Sequence, residues 1–458
     1  MRLNPAVAAG HPATAEVGAA VLRAGGSAAD AACAAVMAAC VAETVMTGLL
    51  GGGHAIYRDE ASGEVWNLDC FCAVPSGDGV DLVELAVPFG EELVHYAVGP
   101  ASFAVPGLPA GLGALHERFG RLPWADLCKP AMDLARIGVD MPAAHAACLA
   151  MLAPVMTLDA GEHIYAPEGE LLREGDRLRQ PGLEKVFALL AMEGASSVYS
   201  GSLAESALSF MRRRGGRVTR DDLAGYAALW SKPVDVNYAG VRVLTREGLS
   251  GVPALLAQLP ALRELTETER VLILLPLLET RGPETHTTNV SVVDADGNAC
   301  VFTTSLGLGS GDFLPGLDLH LNSMLGEVDL LVGDLAPSER MASMMAPTLA
   351  VDANGLALAV GAAGGTRLRS ALAFVLAGIL DETLAPQEAV DRPRFHPALD
   401  VVNAEPGVDE DALIRLESSG RTVRRWPASH HYFGGVSAVG RAGAAADPRR
   451  SGAVREPR

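Results

Sequence analysis

Apolar and polar positions alternate in two stretches of this chain and cluster at helical spacing in many others. The clearest alternation runs from Thr285-His286-Thr287-Thr288-Asn289 through Val290-Ser291-Val292-Val293-Asp294 and returns over 299–305. Apolar residues recur there with period two, and Asp296-Gly297 is a turn pair, so the pattern predicts a β-hairpin. A second hairpin is predicted over 349–360, with its turn at 352–355. It leads into Gly361-Ala362-Ala363-Gly364-Gly365-Thr366 and then a helix over 367–380. Further helices are predicted at 12–23, 28–42, 110–119, 123–137, 202–214 and 409–419, most of them stopped by glycine. Ser27 is the candidate N-cap of the Ala-rich helix, and small side chains on all its faces imply burial between layers. Gly51-Gly52-Gly53 precedes strands at 54–57 and 64–68. The Leu-rich stretch 255–278 reads as two short helices or a lid. Helices and hairpins followed by hairpin, loop, hairpin and helix suit antiparallel sheets flanked by helices.

Composition narrows the function classes. The 458 residues are 49% hydrophobic and 20% charged, with a net charge of −19. That acidic balance argues against nucleic acid and against an anionic membrane as partners. The apolar run 28–50 is interrupted by Asp30 and Glu43 and reads as buried rather than membrane-spanning. With no signal peptide recognised, a cytoplasmic location is expected. Seven dispersed cysteines imply no disulfide framework, and Cys70-Phe71-Cys72 has the wrong spacing for a metal or redox pair. No metal and no cofactor are expected. His430-His431 reads as a surface pair, His396 as structural, and the basic tail after Asp447 as frayed.

Two stretches carry candidate chemistry. A threonine at the mouth of the first hairpin becomes a nucleophile if the peptide bond before it is cut. The freed α-amine, with a pKa near ~8, then serves as base for the hydroxyl of the same residue. Thr285, Thr287 and Thr288 are all placed for this, although a threonine-rich strand start is most simply a strand. Gly364-Gly365 either offers backbone N–H groups to an oxyanion at a helix N-terminus or is a plain strand-to-helix turn.

These motifs together resemble the γ-glutamyltransferase family of N-terminal-nucleophile hydrolases over nearly the whole chain. Gly25-Gly26-Ser27-Ala28-Ala29-Asp30, the triple glycine, Val105-Pro106-Gly107, Asp221-Asp222-Leu223-Ala224-Gly225-Tyr226, Pro393-Arg394-Phe395-His396 and Asp447-Pro448-Arg449-Arg450 occur in the family's order. The resemblance implies an α+β fold, a four-layer αββα sandwich. It implies a precursor that cuts itself between His286 and Thr287 into chains 1–286 and 287–458, which remain together as one intertwined core. Thr287 would be the nucleophile, Ser305 its supporting hydroxyl, and Gly364 and Gly365 the oxyanion hole. Asn322 and Glu327 would recognise a substrate α-amino group, and Ser343 would line the pocket.

Three positions depart from the family. Phe71 stands where it has the arginine that clamps the substrate carboxylate, Met344 replaces a second pocket serine, and Gly307 replaces an asparagine. An aromatic ring cannot make a bidentate charge contact, so the carboxylate side of the pocket is expected to be apolar. The segment between Leu244 and Thr285 is also shorter than the family's. The expected activity is cleavage of a γ-glutamyl-like amide or a related acyl group of a small metabolite through an acyl-enzyme. Hydrolysis of a C–C bond in an actinobacterial 4-alkylproline antibiotic pathway is a narrower alternative, and an unprocessed binding homologue is a third.

Overall fold

A computed structural model of the chain describes residues 3–89, 92–279, 287–333, 335–398 and 400–457. Two antiparallel sheets stack face to face. The seven-stranded sheet runs in the order Ala453–Arg455, Ala6–Ala9, Thr288–Val293, Ala299–Ser305, Gly52–Arg58, Val65–Cys70, Leu229–Ser231. The six-stranded sheet runs Gly443–Ala446, Gly435–Gly440, Gly355–Ala363, Thr348–Asp352, Val241–Thr245, Val234–Tyr238. Each sheet takes strands from both sides of position 287, so neither portion holds either sheet complete.

Alternation assigns the faces. Val290, Val292, Cys300 and Phe302 pack outward on the helix Ala28–Ala42, whereas Val293, Ala299 and Val301 pack inward with Leu349, Leu356 and Ala359 of the other sheet. The Ala28–Ala42 helix is buried throughout, as its small side chains predict. Its start is fixed by a capping box between Ser27 and Asp30. Asp30 also accepts from the N–H groups of Arg121 and Leu122, so this one carboxylate ties the helix to a neighbouring loop. The helix Arg367–Leu380 covers the opposite sheet, packing Leu372, Val375 and Leu376 into a second core with Val360 and Val436. Helix, sheet, sheet and helix make the four expected layers.

The triple glycine has a structural rather than a ligand-binding reason. A Cβ at Gly51 would lie 2.1 Å from the Ser305 carbonyl oxygen, and one at Gly53 would lie 2.5 Å from that of Thr303. The stretch 255–278 resolves as helices Val252–Gln258 and Glu267–Leu278. A hairpin, Val83–Phe89 with Glu92–Val98, was not anticipated. The tail corrects another expectation. Ala453–Arg455 is an edge strand beside Ala6–Ala9, and Arg449 and Arg450 are buried, so the segment is not frayed. His431 is also buried, inside an aromatic group with Trp426 and Tyr432, rather than half of a surface pair.

Candidate active site

Thr287 directly precedes the central strand Thr288–Val293 and is only 2% exposed. The expected cleavage partner, His286, lies outside the described residues, as does Thr285. Behind Thr287 the strand is pinned on both faces. Toward the other sheet, Thr303 Oγ1 donates to Asn289 Oδ1 (2.7 Å) and Ser291 Oγ donates to the Ser437 carbonyl (2.8 Å). Toward the helices, Thr288 Oγ1 donates to Glu43 Oε2 (2.5 Å), and Thr14 Oγ1 donates to Glu43 Oε1 (2.6 Å).

One small cavity brings together six of the nine expected site residues within the described chain: Phe71, Thr287, Ser305, Ser343, Met344 and Gly365. Met324, Leu330, Met345 and Leu368 complete its wall. Ser305 ends the strand Ala299–Ser305, and its Oγ accepts from the Gly307 N–H (2.9 Å). Gly364 and Gly365 turn the strand Gly355–Ala363 into the helix Arg367–Leu380 with φ of 129° and 58°. A φ of 129° is open in practice to glycine alone and one of 58° favours it, and the two set the pair at the positive end of a helix. Gly365 lines the cavity, whereas Gly364 packs against Gly434.

Phe71 makes the lining apolar, as expected, together with Met324, Leu330 and Met345. Cations nevertheless stand close behind it. Arg340 Nη1 donates to the Phe71 carbonyl (3.3 Å) and its guanidinium lies over the Tyr226 ring. Arg246 Nη1 donates to the Met345 carbonyl (2.9 Å). Both guanidiniums are engaged by backbone carbonyls, which no spacing pattern in the sequence signals.

Asn322 and Glu327 sit outside that cavity. Asn322 makes four hydrogen bonds to backbone: its Nδ2 donates to Leu50 and Ala104 carbonyls, and its Oδ1 accepts from Ala104 and Met324 N–H. Its amide is therefore spent on joining three loops. Glu327 Oε1 accepts from Leu308 N–H (2.8 Å) and Ser323 Oγ (2.9 Å). Its Oε2 is buried with no hydrogen-bond partner among the described residues. Burial pushes this carboxyl up to about 7. A Cβ at Gly307 would come within 2.1 Å of Glu327 Oε1. Gly307 and Glu327 are thus coupled: the acid fills space that a side chain at 307 would need.

On the other side of Thr287 lies a second small cavity, lined by Glu43, Met46, His145, Asp447 and Arg450 among others. Burial, set against the hydroxyls of Thr14 and Thr288 and the charge of Arg450, pushes the Glu43 carboxyl up to about 7. Burial lowers His145 to about 3. Sequence reasoning missed this polar cluster. Its only signal was an acid interrupting the apolar run 28–50, and residues 43, 145 and 447–450 are brought together only by the fold. Among the described residues no group of three or more His, Cys, Asp or Glu side chains is arranged to hold a metal ion. Nor is any described helix long and apolar enough to cross a membrane.

The αββα layering with a threonine at the mouth of a central strand is the architecture of N-terminal-nucleophile hydrolases. A cephalosporin acylase from Bacillus halodurans shares the fold, with a TM-score of 0.84, 22% identity, and coverage of 99% of this chain and 96% of that one. The family model for gamma-glutamyltranspeptidase matches residues 14–273 and 277–456, and the chain belongs to that family. Similar curated proteins include an acylase ACY 1 proenzyme of Pseudomonas sp. (strain V22), 27% identical over 94% of this chain and 89% of its own length. A glutathione hydrolase proenzyme of Bacillus subtilis (strain 168) is 25% identical over 90% of this chain and 84% of its own length. The family is one of hydrolases and transferases, and that general class extends to this chain.

Proposed function

We propose that this protein is a self-processing threonine hydrolase or acyltransferase that cuts its own chain between His286 and Thr287 and then forms an acyl-enzyme on Thr287. The observation that supports it is the gathering of Thr287, Ser305 and Gly365 around one cavity. In turnover the freed α-amine of Thr287 takes the proton of its own hydroxyl, and Oγ attacks the acyl carbon of the substrate. Negative charge on the acyl oxygen develops beside the Gly364-Gly365 N–H groups at the start of the helix Arg367–Leu380. Collapse expels the leaving group, and water or an amine then takes the acyl group from Thr287.

The substrate is a small metabolite whose acyl group lies against Phe71, Met344 and Met345. The apolar wall disfavours an acyl chain that carries its own free carboxylate, since desolvating that charge without a partner costs several kcal/mol. Amides of apolar acyl groups are therefore better substrates than γ-glutamyl amides. The same wall favours the second reading, hydrolysis of a C–C bond in a 4-alkylproline antibiotic pathway, and neighbouring biosynthetic genes would distinguish it.

Intact-mass measurement of purified protein tests the proposal. The wild type is expected as two chains, 1–286 and 287–458, and Thr287→Ala as one. A wild type that stays whole overturns the reading and favours an unprocessed binding homologue. Incubation with an apolar acyl amide adds the acyl mass to the 287–458 chain alone.

A further inference from the structure

Self-cleavage and turnover cannot share a base. Before the cut, the Thr287 nitrogen belongs to a peptide bond, and its lone pair is delocalised into the carbonyl. The α-amine that serves turnover does not yet exist, so another group must accept the hydroxyl proton in the first reaction.

The polar cavity behind Thr287 supplies candidates, and chemistry removes all but one. Arg450 is a cation. Asp447 is saturated: it accepts from Arg394 Nη2 (2.7 Å), from Arg449 Nη1 (3.2 Å), and from the N–H groups of Val436 and Arg449. His145 is held close to the Gly10 carbonyl (3.3 Å), and burial makes it too weak a base near neutrality. Glu43 remains. It is 1% exposed, and among the described residues its carboxylate accepts from two neutral hydroxyls, those of Thr14 and of Thr288, the residue next to Thr287.

We propose that Glu43 is the proton acceptor for self-cleavage, working across this cavity and the Thr288 hydroxyl, and that it has no such duty once the α-amine is free. The inference rests on the self-processing reading above. As the Thr287 Oγ–H bond breaks, Oγ bonds to the carbonyl carbon of residue 286 and the proton passes to Glu43. The tetrahedral intermediate collapses with cleavage of the C–N bond, and the nitrogen takes the proton back to become the α-amine. Water then hydrolyses the ester, which restores the Thr287 hydroxyl and leaves a carboxylate on residue 286. Glu43 can do this near neutral pH because burial has raised its carboxyl to about 7. The charged and titratable groups around it are Cys40 on its own helix, His145 with the tilted ring of His11 beside it, and Arg450 and Asp447 from the 447–450 turn.

The test is the rate at which chain made by cell-free translation cuts itself between pH 5 and 9, for wild type, Glu43→Gln, Glu43→Asp and Thr287→Ala. The wild-type rate is expected to rise about tenfold per pH unit and level off above about 7, as a single carboxylate base requires. Glu43→Gln is expected to cut at least about 100-fold more slowly and to lose that rise, and Glu43→Asp to retain the rise at reduced rate. The proposal is overturned if Glu43→Gln cuts at the wild-type rate with the wild-type profile. Should Glu43→Gln fail to fold, the wild-type profile alone decides, a flat profile refuting the role and a rise to about 7 supporting it. If the wild type never cuts, the self-processing reading falls and this inference with it.

Discussion

The two cavities that flank Thr287 are opposites. On one side Phe71, Met324, Leu330, Met344 and Met345 present carbon and sulfur, and the guanidiniums of Arg246 and Arg340 behind them are tied to backbone carbonyls. On the other side Glu43, His145, Asp447 and Arg450 form a buried polar cluster with Thr14 and Thr288. Under the proposed function, the first wall selects the substrate of Thr287 and the second holds its backbone. Phe71 and Met344, two of the positions that depart from the family, both lie on the first side.

Breaking the polar side should cost most. Glu43→Leu strips two hydroxyls of their acceptor and leaves Arg450 with one fewer buried counter-charge, so a loss of about 4 kcal/mol is expected in urea unfolding. On the apolar side, Phe71→Ala removes a buried ring that stacks on His54 at 5.6 Å, for about 3 kcal/mol by the same measurement. It should also weaken turnover of apolar acyl amides more than that of small acetyl amides, which a kcat/KM comparison reads directly.

The coupling of Gly307 and Glu327 can be sharpened by a double-mutant cycle. Gly307 has φ 73° and its Cβ position falls on Glu327, so Gly307→Ala is expected to cost about 2 kcal/mol. Shortening the acid with Glu327→Asp should recover part of that, and strictly additive losses would show the two positions to be independent.

The smallest expected effect is on pH dependence. Glu327 rises from an ordinary 4.5 to about 7 in the folded chain, so the folded state binds more protons than the unfolded one in that interval. Stability contributed by this group is present below about 4.5 and is lost as pH rises toward 7. Glu327→Gln should therefore flatten the fall in urea midpoint between pH 5 and 8.

Much of the apolar side was legible before any fold was known. The family resemblance implied one site for Phe71, Ser305, Ser343, Met344 and Gly365, and the fold gathers them around one cavity. Asn322 was legible as a position but not as a role, because only tertiary structure shows its amide wholly engaged by backbone. The polar side had no local pattern. An acid in an apolar run reads equally as a helix end, and a basic tail reads as solvated until it is seen to add a strand beside Ala6–Ala9.

What the amino-acid order determined by itself is periodic or local: two hairpins, an all-buried Ala-rich helix, a glycine pair before a helix, and a threonine at a strand's mouth. Period-two and period-3.6 burial depend on neighbours within a few residues, so they can be read without a fold. What only the tertiary structure decided is which distant groups share a dielectric. Glu43 meets Thr288 and Arg450 because the sheet register and the returning tail bring them together. The charge state of that carboxyl depends on how completely those neighbours exclude water.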